Sequence, residues 1–204
     1  MALLAGSLLL AGCTFNGGYN PSYLPPEPTA LGIPGKSLVV LEAVDANWTY
    51  SGKPTSFTGS ATTLKLPVGE ITRQIALKVF GAAFKDGADF RYAAGETAGY
   101  RLVVKPRVIR FSYAYNQLKN LGFAVTPQVD LDLHVTLLAP DGKVLLDKTY
   151  ASGVTAGGTY VFSGQPAERV NKALHETLYK LMSDAAVDAR KALDTPVAAT
   201  APSG

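Results

Sequence analysis

The richest chemistry in the chain lies on one short stretch. Asp130, Asp132 and His134 alternate with Val129, Leu131, Leu133, Val135 and Leu137. That alternation is the period of a strand, so the three polar groups share a face with neighbours roughly 6.5–7 Å apart. Two carboxylates and an imidazole so placed could hold a divalent cation or do acid–base work. The wet side of any half-buried strand carries the same pattern. Arg107, Arg110, Lys143 and Lys148 could pair with these aspartates from neighbouring strands. We favour that reading and assign no metal and no catalytic residue. His175-Glu176 has no second histidine four residues on, so it is not a zinc-protease motif and reads as a solvated helix flank. There is no Gly-x-Ser-x-Gly elbow. Gly153, Gly157, Gly158 and Gly164 fit neither a phosphate loop nor a dinucleotide fingerprint. The chain reads as a non-enzyme without a cofactor.

A binding role has more to stand on. Arg101, Lys105, Arg107 and Arg110 place four positive charges within ten residues, among Tyr100, Phe111, Tyr113 and Tyr115. Cations beside aromatic rings suit anionic lipid headgroups, lipopolysaccharide phosphates or an acidic protein loop. Arg101, Lys105, Arg107, Arg110 and Tyr113 are therefore the candidate binding residues, against the simpler reading of a solvated sheet face. A net charge of +3 is too mild to argue for nucleic acid.

The elements that would carry these residues follow from periodicity. Ser37 to Val44 is a short apolar strand after Pro34-Gly35. Asp45 to Ser60 is polar, a long loop or a weak edge strand. Leu66 to Phe84 reads as a helix, with Pro67 in its first turn and Ile71, Ile75, Val79 and Ala82 on one face. Tyr100 to Tyr115 is a long strand in which Pro106 must mark a bulge or an edge. Asn116 to Gly122 connects it to the alternating strand Val129 to Leu137. Asp141-Gly142 is a hairpin turn into Lys143 to Tyr150. Gly153 to Gly164 reads as a loop. Pro166 opens a last helix with Val170, Ala173, Leu174, Leu178, Leu181, Met182 and Ala185 as its apolar stripe. The order βαβββα predicts an α+β two-layer sandwich, a mainly antiparallel four-stranded sheet with two helices on one face. Strand order stays open.

The chain also holds a single cysteine, Cys13, at the end of the apolar run Leu3 to Leu10. Leu10-Ala11-Gly12-Cys13 resembles the lipobox of bacterial lipoproteins. The resemblance implies cleavage before Cys13 and acylation of its thiol. No basic residue precedes Lys36, although a secretory signal begins with one, so we expect the true start to lie upstream. The apolar run is also shorter than the roughly 20 residues of a membrane-spanning helix. Residues 1–12 are then a signal peptide and 13–35 a lipidated tether. Pro21, Pro25, Pro26, Pro28 and Pro34 make that tether extended, able to hold a domain tens of ångströms off the bilayer at about 3.1 Å per residue. Residues 36–192 form the domain, and 193–204, rich in Ala, Pro and Ser, a disordered tail. In Gram-negative lipoproteins an Asp after the lipid cysteine is the usual inner-membrane retention signal; Thr14 stands there instead, so the resemblance implies the outer membrane, facing the periplasm.

Lipobox, Pro-rich tether, strand, helix, three strands and helix together resemble small outer-membrane lipoproteins. These are the YajG-like proteins, the lipopolysaccharide-assembly lipoprotein LptE and the auxiliary lipoproteins of ABC-type lipid transporters. The resemblance implies an accessory or scaffold in envelope assembly or transport, bound to the membrane through Cys13 and to an envelope protein. The alternative is a carrier of lipid or lipopolysaccharide. A carrier needs an apolar cavity between helices and sheet, whereas a scaffold has a filled core and an exposed patch.

Overall fold

The computed structural model describes residues 13–117, 124–161 and 166–194. The expected signal peptide (residues 1–12), the predicted turn residues 118–122, the end of the Gly-rich loop and the expected tail from 195 on lie outside them. The elements are β1 (Thr14–Asn16), β2 (Ser37–Val40), α1 (Ala43–Ala46), β3 (Tyr50–Gly52), β4 (Thr63–Leu66), α2 (Val68–Ala83), β5 (Ala88–Arg91), β6 (Leu102–Asn116), β7 (Ala124–Leu138), β8 (Val144–Ala151), β9 (Thr155–Ala156), β10 (Tyr160–Val161) and α3 (Pro166–Asp194). A short 3₁₀ turn occupies Pro21–Tyr23.

The class is α+β, but the sheet is not the four-stranded antiparallel one expected. Among the described residues there are two sheets. The larger is mixed and seven-stranded, in the order β10-β7-β6-β2-β5, with β8 and β9 also on the outer side of β7. β2 runs parallel to both β5 and β6, whereas β6, β7 and β8 are antiparallel. The smaller sheet is β1-β4-β3.

The extra strands are those that local pattern cannot reveal. Ala88 and Phe90 alternate with Asp89 and Arg91, but four residues are too short a run to mark a strand on their own. Its strand character comes from the ladder with Ser37–Val40 and the 2.7 Å ion pair between Lys36 and Asp89. Thr155–Ala156 and Tyr160–Val161 sit in the predicted Gly-rich loop and are strands because β7 outruns β8 and offers them a partner. The polar stretch after β2 contains the one-turn helix α1 and the strand β3.

The strong periodicities survive. On β7, Val129, Leu131, Leu133, Val135 and Leu137 are buried and their alternates are not. Pro106 lies just past Val104, where pairing with β2 stops, and the bulge falls three residues later at Ile109. That extra residue keeps Val108 and Phe111 both inward while Ile109 and Arg110 stay outside. Gly142 takes φ +86° in the turn into β8, a conformation open to glycine.

The helices α2 and α3 pack on one face of the large sheet, α2 against β2 and β6, α3 against β7 and β8. Pro67 precedes α2 rather than opening it. Gly69, in the first turn of α2, lies so close to α1 that a Cβ there would sit 2.1 Å from the Asp45 carbonyl oxygen. The 29 residues of α3 span about 43 Å. Its stripe of Val170, Ala173, Leu174, Leu178, Leu181, Met182 and Ala185 is buried. Each of the larger side chains contributes roughly 1.5–3 kcal/mol by leaving water. At the far end Asp188 takes hydrogen bonds from Lys148 (2.7 Å), Tyr150 (3.0 Å) and Lys191 (3.1 Å). The Lys148 ammonium above all holds its carboxyl down to about 2.

The Pro-rich stretch behind Cys13 is no free spacer. It runs along α3 and back to α2, with Leu24 and Ile33 buried. The Ile33 amide donates to Ala83 O (3.0 Å), and the Lys85 amide donates to Ile33 O (2.8 Å). Arg190 donates to Leu31 O. Proline excludes helix and central strand here, but it does not exclude a docked, extended chain.

Candidate functional site: the groove beside Cys13

The outer face of the large sheet holds most of the predicted chemistry, and its groups are spent on each other. Arg110 is a fork between both aspartates. Its Nη1 and Nη2 donate to Asp130 at 2.6 and 2.9 Å, and its Nε and Nη2 donate to Asp132 at 2.7 and 2.9 Å. All four carboxylate oxygens therefore accept from one guanidinium. Those hydrogen bonds push Asp132 below the usual carboxylate range and Arg110 up. His134 lies 3.0 Å from Asp147 and 3.1 Å from Thr149 Oγ1 on β8. Among the described residues no cluster of His, Cys, Asp and Glu could hold a metal ion.

The five candidate binding residues do not form one patch. Arg107 pairs with Asp45 at 3.1 Å. Arg110 is engaged as above. Lys105 lines a shallow cleft of about 200 Å³ with Glu42, Asp45 and His134. Arg101 is exposed just before β6, about 30 Å along the strand from Arg110. Tyr113 points the other way, into the core, where its hydroxyl donates to Gly52 O at 3.2 Å and burial pushes its pKa up. Alternation predicted two faces; the bulge at Ile109 decided which residues took which.

His175 is not on a solvated flank. It is fully buried. Its Nε2 accepts from the Asn20 amide at 3.0 Å, which leaves the proton on Nδ1 to donate to Asn171 O at 2.8 Å. Tyr19 stacks on the ring at 5.7 Å and Tyr23 meets it edge-on at 5.4 Å. Burial pushes this imidazole below its ordinary pKa, and an Nε2 that accepts a hydrogen bond carries no proton, so the ring is neutral. The histidine is the clasp that fastens the N-terminal segment to α3.

That clasp forms one wall of a groove of about 860 Å³. Phe15, Tyr19 and Tyr23 line one side and Ala167, Glu168 and Asn171 of α3 the other. The Tyr23 hydroxyl donates to Glu168 at 3.2 Å, and Asn171 Nδ2 donates to Gly18 O at 2.7 Å. Gly17 is required by close approach: a Cβ there would lie 2.3 Å from Leu66 Cδ2. Cys13, two residues before Phe15, is exposed. Its carbonyl accepts from Thr63 N at 3.0 Å, and β1 continues the pairing to β4 at once. The signal that could have revealed the groove is the spacing of Phe15, Tyr19 and Tyr23, four residues apart each time, since a solvated tether has no use for three large rings.

No protein-family model matches the sequence, and no curated protein matches it. Among solved structures, the chain is similar in fold to protein XCC0632 from Xanthomonas campestris, of the family DUF330. The TM-score is 0.51 at 14% identity, over 89% of this chain and 99% of that one. A putative neuraminyllactose-binding hemagglutinin homolog from Helicobacter pylori matches with a TM-score of 0.45 and 8% identity, over 81% of this chain and 92% of that one. The first likeness is one of fold alone, and the second is too distant to carry an argument. Among the described residues no helix is long and apolar enough to cross a membrane.

Proposed function

We propose that this chain is a non-enzymatic accessory protein of the bacterial cell envelope, anchored in the outer membrane through an acylated Cys13 and acting through a protein partner in the periplasm. The anchor rests on Leu10-Ala11-Gly12-Cys13. The preference for an accessory over a lipid carrier rests on one observation. The centre of the space between helices and sheet is filled by a single cluster, in which Ile71, Ile75, Phe80, Leu131, Leu133, Leu137 and Leu174 are completely buried, and a cleft of about 350 Å³ opens only at the edge, between Thr177 and Leu181 of α3 and Ala151 and Thr155. A carrier would need that central space for its ligand. The groove of about 860 Å³ near the N-terminal segment is more open, and its walls of aromatic rings, amides and one carboxylate suit a polar peptide surface.

Crosslinking in membranes, followed by purification of wild type and Cys13→Ala and mass spectrometry of copurified protein and lipid, tests this. An envelope protein captured by wild type and lost with Cys13→Ala is the expected result. Lipid or lipopolysaccharide held by the soluble Cys13→Ala chain, with no protein partner, would make the protein a carrier instead.

A further inference from the structure

One loop at the Cys13 end has an arrangement that packing does not explain. Residues 53–62 lead into β4 at Thr63, the residue bonded to the Cys13 carbonyl. The loop is firmly held. The Thr55 amide donates to Tyr113 O at 2.8 Å, the Tyr115 amide donates to Ser56 Oγ at 2.9 Å, and the Thr62 amide donates to Gly59 O at 2.8 Å. Gly59, at φ +80°, lies flat on Tyr115, with 2.9 Å between the ring and any Cβ placed there. In the middle of this fastened loop Phe57 is 94% exposed, the most exposed large apolar side chain among the described residues. One exposed ring is ordinary by itself; this one is held out by a well-bonded backbone on the same end of the domain as Cys13, where it is free to enter an apolar phase.

Charge says what. The chain has 16 acidic residues, none before Glu27 and none between Asp45 and Glu70. The two segments that build this end, β1 with its continuation and the stretch from β3 to β4, thus contain no carboxylate. They carry exposed Lys53 and Lys65 and, on β1, the partly exposed ring of Phe15. Two segments that carry cations and apolar rings but no carboxylate are complementary to an anionic lipid surface, and Glu168 of α3, across the groove, is engaged by the Tyr23 hydroxyl. Because β1 pairs directly after Cys13, an anchor there leaves no slack between bilayer and domain.

We propose that the Cys13 end of the domain rests directly on the bilayer, with Phe57 among the acyl chains and Lys53 and Lys65 against anionic headgroups. The proposal deepens the reading of Cys13 as a lipid anchor and reverses the expectation of a domain held far from the membrane.

The test uses the full chain with its sole thiol, Cys13, coupled chemically to a maleimide lipid in vesicles of phosphatidylethanolamine with about a quarter phosphatidylglycerol. Phe57→Trp supplies a reporter, and the same chain with Trp48 alone supplies the background. Brominated acyl chains should quench the new indole about twofold or more, and its quenching by aqueous acrylamide should fall relative to the free protein. In high salt the effect should weaken as the lysines are screened. An indole unquenched by bromine and as open to acrylamide as in solution would overturn the proposal. If it becomes shielded only when solubilised envelope proteins are added, the tip serves a protein and the membrane reading is wrong. The coupling does not depend on acylation by the cell, so the intact mass of Cys13-containing protein extracted from membranes tests the anchor separately.

Discussion

The outer face of the large sheet and the Cys13 end are opposites in composition and in use. The face holds Asp130, Asp132, His134 and Arg110, and each of these meets a partner on an adjacent strand. The Cys13 end has little charge, yet it has an open groove and an exposed ring held on a fastened loop. Titratable side chains on neighbouring strands find one another because the ladder places them about 5 Å apart. Rings and amides on a docked segment have no such ladder and keep a surface to offer. Density of chemical groups is thus a poor guide to where this protein meets its surroundings.

The contrast can be broken most sharply at the clasp. His175→Ala removes a fully buried ring with two hydrogen bonds and two aromatic contacts. It should cost roughly 2–4 kcal/mol. Chemical denaturation measures the loss, and limited proteolysis should show cleavage within residues 14–33. If the segment stays protected, it is held by something other than His175.

Gly17→Ala drives a methyl towards the buried Leu66 and should cost about 1–3 kcal/mol while leaving the outer face untouched. Crosslinking that still captures a partner after this change would separate the groove from the binding role.

Acid should loosen the same clasp selectively. The ordinary pKa of a histidine in the unfolded chain is 6.5, and burial lowers it in the fold. Between those two values the unfolded chain binds more protons. The stability from burying neutral His175 is therefore complete above about 6.5 and is lost as pH falls towards the lower native value. Hydrogen exchange at the Asn20 amide should accelerate below pH 6.5 relative to amides of β7, after correction for intrinsic rates. Equal loss of protection in both places would refute a local clasp.

The smallest effect is expected on the outer face. Arg110→Gln removes the cation that holds Asp132 below the usual carboxylate range. The Asp132 titration, followed by carbon NMR, should move up, while the thermal midpoint changes less than for Gly17→Ala because the site is exposed. A midpoint drop as large as that for Gly17→Ala would show that the polar face is more than a solvated surface.

Particular elements show what could be read in advance. The alternation on β7, the stripe of α3 and the turn at Asp141-Gly142 were all legible, because each is a local rule about which side of an element meets water. β5 was not, since Ala88–Arg91 becomes a strand only through its parallel neighbour. For the site, the pairing of Arg110 with the aspartates was anticipated as one of several options on neighbouring strands. The separation of Tyr113 from the cations was missed, although alternation contained the clue. The docking of residues 14–33 was hidden behind five prolines, which report what a segment cannot be and not where it lies.

By itself, then, the sequence determined the class of the fold, the two amphipathic helices and the half-buried strands, together with a lone Cys13 behind a lipobox-like run. These follow from periodicity and composition over a few neighbouring residues. Only the tertiary structure decided that the sheet is mixed and seven-stranded and that a second sheet ties Cys13 to Thr63. It also decided that His175 is a clasp and that Phe57 is held outside. Each of those depends on contacts between residues tens to more than a hundred positions apart, as with Asn20 and His175. No short-range pattern encodes such a meeting.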